Sequence, residues 1–529
     1  MRKVSAIGII ILAFLSVSNA VAQETVFALL KSDKKRADEY FQEKNFENAL
    51  RYYSAAAKGP HLNPVISLQI AESNFHLKKY KQAIHAYEAH LTAGHHLPET
   101  ARLKLAESHA SMGEYAKAIG HFREYLKQHS DDAVVLKKVW QLTNIRFLYE
   151  DSAHFAVRPL KLNSNEGEMQ VVPFENGFLF LSNRKETRVV EKIDGTTNKP
   201  FYRLFFARAF ADSSLTGSTQ FGRPLKYTKA VFKFHPGPFA FFGHEKKMVV
   251  TMLEKQSGLA FAEREQNDWK LVSEFPFNSH SYSITDPSIS EDGTVLYFSS
   301  DMPGGFGGKD LYRSTFVNGR WTKPENLGEA INTKFDEISP FLHQGRTLYF
   351  SSTGQPGMGG LDIFKAEVLS DGFDEPKNLG YPVNSPSDDF GISLDATGRK
   401  GWFTSNRVGG EFDDDLFEFD MDLQIYPLVI DGTLRFKESS ISDSASLQNF
   451  GRAKLYVIDA IRNAVVFEQS TDSNGKFAIT IPYFSLYKIR VLGEDQHENI
   501  VSLELPKHRT EHTTHDIVVV KDVFKSPDK

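Results

Sequence analysis

The sequence predicts a multidomain fold: an all-α solenoid of helical repeats, then an all-β propeller of about five blades (six at most), then a small β-sandwich. Three observations predict it. Small and aromatic residues recur every 34–35 positions between residues 30 and 150. A turn-and-strand phrase recurs every 52–53 positions between 155 and 425. From 428 to 522, short alternating apolar segments follow one another around a tight Asn-Gly turn.

Composition sets the outer bounds. A chain of 529 residues accommodates two to four domains, and 41% hydrophobic residues with 43 Phe supply their cores. A formal charge of −5 gives no basic footprint for nucleic acid. The absence of cysteine excludes disulfides, thiolate metal sites, a cysteine nucleophile and a lipid-modified cysteine. Residues 1–22 have the build of a secretory signal peptide: Arg2 and Lys3, an apolar run from Ile7 to Val17, then Ala20-Val21-Ala22 before Gln23. The run is too short to anchor in a bilayer, and no later segment reaches spanning length. The expectation is an exported protein that does not span a membrane.

In the helical part, Ala37, Tyr40, Phe46, Ala49, Tyr53 and Ala56 set the pattern. Ala71, Tyr80, Ala83 and Tyr87 repeat it, as do Ala106, Tyr115, Ala118 and Phe122. Small residues belong where two helices approach closely, and aromatic residues between hairpins. Pro64 and Pro98 fall where helices begin, and a last helix from Asp132 to Tyr149 would close the stack. The segment resembles the tetratricopeptide repeat. The resemblance implies a concave groove lined by the first helix of each repeat, which here would show Lys34, Asp38, Gln42, Glu72, His76, Glu107 and Ser111 to a polar partner segment. His85, His90, His95 and His96 read as surface residues, and no metal or other cofactor is expected.

In the second part, D-P-S-I-S-E-D-G-T-V-L-Y-F-S-S near 290, S-P-F-L-H-Q-G-R-T-L-Y-F-S-S near 345 and G-I-S-L-D-A-T-G-R-K-G-W-F-T-S near 398 are versions of one phrase. Looser copies start near 168 and 234, giving five inner strands. Residues 186–199 read as a polar insertion in the first blade. The exit pieces Asn326–Asn332 and Asn378–Asn384 have a counterpart before the first blade, Val157–Asn163. Residues 155–163 are therefore expected to supply the outer strand of the last blade and leave no open sheet edge. Asp310, Asp362 and Asp415 hold one place in three blades, after Gly-Gly pairs in the first two. An Asp there is suited to bonding turn amides, which outweighs a metal or catalytic ring. Asp413, Asp414 and Asp415 lack the spacing of a calcium loop. The phrase resembles the WD40-like repeats of TolB-type propellers.

From 428 to 522, strands are expected at 430–434, 453–459, 478–482 and 487–491. The turn Asp472-Ser473-Asn474-Gly475-Lys476-Phe477 reads as a hairpin. The segment resembles the carboxypeptidase-regulatory-like domain, a transthyretin-type sandwich with structural or adhesive roles.

The three parts in this order resemble the PorE-like, OmpA-family periplasmic proteins of Bacteroidetes linked to type IX secretion. Those continue into an OmpA-like domain that grips peptidoglycan, and the expectation here is a relative without that domain, the sequence reading to Lys529. The resemblance implies a non-enzymatic scaffold or adaptor of the periplasm, associated with the outer membrane through envelope proteins of the secretion or gliding machinery, with peptidoglycan reached only indirectly. One alternative is a glycan or peptide sensor using the propeller channel, with Phe306, Trp321 and Trp402 as stacking rings or, on the blander reading, as packing. A propeller-gated hydrolase is the other, but the chain has neither the G-x-S-x-G elbow nor an identifiable carboxylate pair.

Overall fold

A computed structural model describes residues 31–58, 63–149, 152, 155–185, 199–210, 219–227, 234–253, 256–266, 268–407, 414–421, 428–438, 447–459, 464–481, 487–493, 498–503, 512–514 and 516–521. The signal peptide expected over 1–22, Asp413 and the insertion up to 198 lie outside them.

Among the described residues seven helices come first: α1 (Asp33–Gln42), α2 (Phe46–Ala56), α3 (Pro64–His76), α4 (Tyr80–Thr92), α5 (Glu99–Ser111), α6 (Tyr115–Leu126) and α7 (Ala133–Thr143), followed by a 3-10 turn over Ile145–Tyr149. Four of these starts have a local cause. The side chains of Ser32, Asn45, Asn63 and Asp132 accept from first-turn amides, and Pro64 opens α3. α1/α2, α3/α4 and α5/α6 pack as hairpins, and α7 packs on α6. Ala37, Ala49, Ala71, Ala83, Ala106 and Ala118 are fully buried at the crossings. Tyr53, Tyr87 and Phe122 fill the gaps beside them.

Among the described residues five antiparallel sheets follow, four of them meanders of consecutive strands and the last completed by a strand from before the first. Their inner strands are Glu168–Phe174, His235–Phe242, Ile284–Ile289, Glu337–His343 and Asp389–Leu394. We number the blades I to V in that order. Contacts between inner strands join II to III, III to IV, IV to V and V to I, and I meets II through Arg203–Phe210 against His235–Phe242. The ring is a five-bladed propeller.

It closes as the sequence predicts. Phe155–Pro159 pairs antiparallel with Asp415–Met421, from Phe155 opposite Met421 to Pro159 opposite Phe417. A side-chain fork completes the join: Asn163 accepts from the Leu416 N–H (2.8 Å) and donates to the Leu416 carbonyl (3.0 Å). Asn332 grips Leu311 in the same way, Asn384 grips Ile363 and Asn278 grips Leu259. Each exit asparagine thus stands in for a strand partner at the sheet's outer edge.

Every inner strand has a bulge midway. Gln170, Asp286, Ser339 and Gly391 adopt left-handed φ there, between 48° and 65°. Neighbouring blades bond across these bulges: the Gln170 amide binds the Phe239 backbone at 2.6 and 2.9 Å, and the Asp286 N–H donates to Thr251 Oγ1.

Two sheets form the last unit. One contains Leu428–Glu438 paired with Lys476–Ile481, the other Ala453–Asp459 between Ala464–Ser470 and Tyr487–Gly493. Leu434, Leu455, Val457, Ile479 and Val491 are fully buried between them. The hairpin expected at Asn474-Gly475 is not one, because the strands it joins belong to different sheets. The cause is local. Asp472 Oδ1 ties down the Asn474 and Lys476 amides, and the Gly475 carbonyl accepts from Leu434 N–H, so the chain is handed to the opposite sheet.

Candidate functional site

Two surfaces merit attention, the helical groove and the propeller channel, with a seam between the two units. In the groove, Asp38, Glu72 and Glu107 hold matching places on α1, α3 and α5. Tyr53 on α2 donates to Asp38 (2.8 Å) and Tyr87 on α4 donates to Glu72 (2.9 Å). Lys104 pairs with Glu72 and Lys138 with Glu107, so these acids tie each hairpin to the next first helix. Despite partial burial, hydrogen bonds from Lys34 and Tyr53 hold Asp38 below the usual carboxylate range. His76 stacks on Phe46 with centroids 4.3 Å apart, one edge open to solvent. Desolvation, with Lys104, Lys78 and Lys44 nearby, brings its imidazole down to about 4. Gln42 is exposed.

Glu107 and Ser111 stand apart, because the propeller covers their end of the groove. Lys138 Nζ donates to the Thr353 carbonyl (2.5 Å) and lies 4.5 Å from the centroid of Phe335. Lys78 pairs with buried Asp388 at 2.9 Å, and Lys334 with Asp132. Tyr381 N–H donates to the Leu148 carbonyl, and its ring stacks on Tyr149. Gly359 lies so close to α5 that a Cβ there would come 2.6 Å from the Ala110 carbonyl oxygen. The surface on which blades IV and V dock thus runs from the α3–α4 turn to the 3-10 turn, and Lys34, Asp38 and Gln42 on α1 and Glu72 and His76 on α3 come before it.

The blade acids act within their own turns. Asp310 accepts from the amides of Phe306 (2.6 Å) and Gly307 (3.2 Å), and Asp362 from those of Met358 (2.8 Å) and Gly359 (3.3 Å). Asp415 is buried, and the turn before it lies outside the described residues. A second set of buried acids escaped the sequence reading: Glu168, Glu337 and Asp389, each at the start of an inner strand. Glu337 accepts from Thr333 N–H and hydroxyl (2.7 and 2.8 Å) and from Ser352 Oγ (2.6 Å). Glu168 and Asp389 are held likewise, each with an arginine, Arg184 or Arg407. The signal was present as Asn-Ser/Thr-x3-Glu/Asp at 163–168, 332–337 and 384–389. Burial pushes Glu337 up to about 7 and Asp389 to about 6, the latter against the pull of Arg407. Burial, with Asp389 adding to it, raises Asp362 well above its ordinary value.

The channel encloses about 880 Å³ and touches all five blades. Its wall includes the bulge residues Gln170, Asp286, Ser339 and Gly391, and Pro173, Pro238, Pro287 and Pro340. Thr285 Oγ1 donates to Asp286 (2.6 Å) and accepts from Lys309 Nζ (3.2 Å). Trp402 is buried against Phe178, and Trp321 stacks on Phe261, so both are packing residues. Phe306 is exposed. The expectation of surface histidines fails at His90, which is 3% exposed with Ser67 Oγ 2.7 Å from its Nδ1, because the α3/α4 crossing closes over it. Among the described residues no three His, Asp or Glu side chains converge as a metal site, and no helix is long and apolar enough to cross a membrane.

No family model and no curated protein matches this chain. Solved structures similar to it include a Trypanosoma rangeli sialidase with 2,3-difluorosialic acid (11% identity, 65% of this chain, 75% of that chain, TM-score 0.29). A protein of unknown function from Dyadobacter fermentans is another (11% identity, 51% of this chain, 100% of that chain, TM-score 0.30). A third is CoXyl43, a GH43 β-xylosidase/α-arabinofuranosidase from a compost microbial metagenome (9% identity, 50% and 93% coverage, TM-score 0.31). Likeness this weak carries no argument, and the propeller assignment rests on the strand pairing itself.

Proposed function

We propose that the chain is a non-enzymatic scaffold or adaptor of the cell envelope, exported to the periplasm and held near the outer membrane by protein contacts with secretion or gliding machinery. The observation that supports this most is the seam. Lys78, Asp132 and Lys138 fix the tetratricopeptide-type stack to blades IV and V through partly or fully buried pairs. A polar groove and a propeller held on one frame suit the bridging of partners. The repeated blade acids add support, since their bonds hold turns. The test is a photoreactive side chain at Gln42, in the open part of the groove, in cells of the native host. One reproducible adduct with an envelope protein, lost when Lys34 and Glu72 are reversed in charge, is expected. Recovery of only unadducted chain, or turnover of chromogenic glycosides or peptides by the purified protein, would defeat the proposal.

A further inference from the structure

The propeller channel is a cavity with a different polarity at each end. At the end where the inner strands begin, Lys309 projects to Thr285. Among the described residues no carboxylate oxygen lies within 4.0 Å of its ammonium. Asp286 is nearby, but its oxygens face the hydroxyls of Thr285 (2.6 Å) and Ser339 (3.4 Å). At the other end, where first strand turns into second, the wall carries Glu245, Glu291 and Asp292. His244 Nδ1 is 3.4 Å from Glu291, and Lys246 and Arg346 belong to the same turns but not to the wall.

Between the ends the wall mixes proline and other apolar side chains with Gln170, Ser288, Ser339 and Ser393. Proline offers no N–H, so the inner edges are poor at adding a strand and a ligand must be read through its ends. Thr285 lies on the inner strand Ile284–Ile289 and Glu291 in the turn just after it, with a bulge between them, a span of at most about 16 Å at roughly 3.3 Å per regular step. An extended peptide of about five residues has the same span.

We infer that the channel binds a short extended peptide with both ends free, its terminal carboxylate at Lys309 and its terminal ammonium at the Glu245–Glu291–Asp292 mouth. Asp286 then faces the last amide N–H. This binding is independent of the adaptor reading, since it uses neither the groove nor the seam, and either proposal can fail alone.

The test is calorimetric titration of the full-length chain with the pentapeptide Ala-Leu-Ala-Leu-Ala in free, C-amidated and N-acetylated forms. Amidation is expected to weaken binding by about tenfold, the scale of a lost charge-assisted hydrogen bond. Lys309→Met should weaken the free peptide equally and leave the amidated form unaffected, and Lys309→Arg should restore binding. Glu291→Gln, which keeps its acceptor for the His244 N–H, should cost about threefold only when the peptide amine is free. If Lys309→Met does not fold, Lys309→Arg, Glu291→Gln and the blocked peptides still decide the matter. No binding of the free peptide up to about 1 mM, or equal affinity for free and blocked forms, would overturn the inference.

Discussion

Blade IV reaches its third strand through the nine residues 353–361, and blade II through the four residues 254–257. The long turn contains Gly354, Gly357, Gly359 and Gly360, and its amides need partners. Asp362 supplies them from inside the blade, while the corresponding place in blade II is Ser257. At the start of the inner strand, the place of Glu337 in blade IV is held by His235 in blade II. The outer edges differ in the opposite sense. Blade II has a full fourth strand, Asp268–Glu274, whereas blade IV has two-residue pieces, Gly372–Phe373 and Lys377–Asn378. Between these two blades the buried carboxylate goes with the long turn, and the continuous fourth strand with its absence; blade V has both, since its outer strand is brought in from Phe155–Pro159. The acids are part of the fold's hydrogen bonding, which is why their even spacing need not mean a reactive ring.

That comparison can be broken first at blade V, whose outer strand comes from the far end of the ring. Deleting residues 155–159 removes a whole ladder that no side-chain staple can replace. The melting temperature is expected to fall by more than about 10 °C and the transition to broaden. An unchanged calorimetric melt would contradict closure by this strand.

Next in size is the staple. Asp362→Ala leaves the Met358 and Gly359 amides buried without a partner, and about 2–3 kcal/mol of stability should be lost in urea titration. Ser257→Ala in blade II should change it by less than about 0.5 kcal/mol. Equal losses at the two sites would dissolve the distinction between the blades.

Glu337→Gln removes the charge and one of the two acceptor oxygens: the Oε1 bonds from Thr333 and Ser352 can persist, and the bond from Thr333 N–H is lost. The folded carboxyl titrates near 7, above its ordinary value of 4.5. The native state therefore binds more protons than the unfolded chain between those values, so this group's contribution to stability is present below about 4.5 and falls as pH rises to about 7. Asp389, pushed up to about 6, acts in the same sense. In Glu337→Gln the decline between pH 4.5 and 7 should shrink by an amount on the order of 2 kcal/mol. Parallel stability–pH curves for variant and parent would show that Glu337 is ionised throughout.

How much of this could be read beforehand follows the same physics. Helical hairpins, inner strands and the closing segment were legible because each writes a period into apolar residues, from Ala37 and Ala71 to the Leu-Tyr-Phe-Ser-Ser strands. Asp310 and Asp362 were legible because they follow glycines that announce a turn. Glu337 and Asp389 were not, since their partners are Thr333 and Ser385 four residues earlier and nothing apolar marks the pair. The Asn474-Gly475 turn misled because turn chemistry reports local bending and is silent about which sheet receives the next strand. The docking of blades IV and V on α5 and α7 was out of reach as well: Lys138 and Thr353 are 215 positions apart.

The smallest effect tests whether burial, and not the carboxylate as such, makes the difference. Asp38 accepts from Lys34 at 2.7 Å one helical turn away, but both side chains are about 40% exposed. Solvent screens such a pair, and holding two mobile side chains together offsets most of the attraction. Lys34→Met should therefore change the unfolding free energy by no more than about 0.5 kcal/mol, and less still at high salt. Tyr53 also donates to Asp38 from a largely buried position, so Tyr53→Phe should cost more than the loss of the lysine. The opposite order would place the stabilising work on the solvent side of the groove, and the rule drawn from blades II and IV would not extend to the helices.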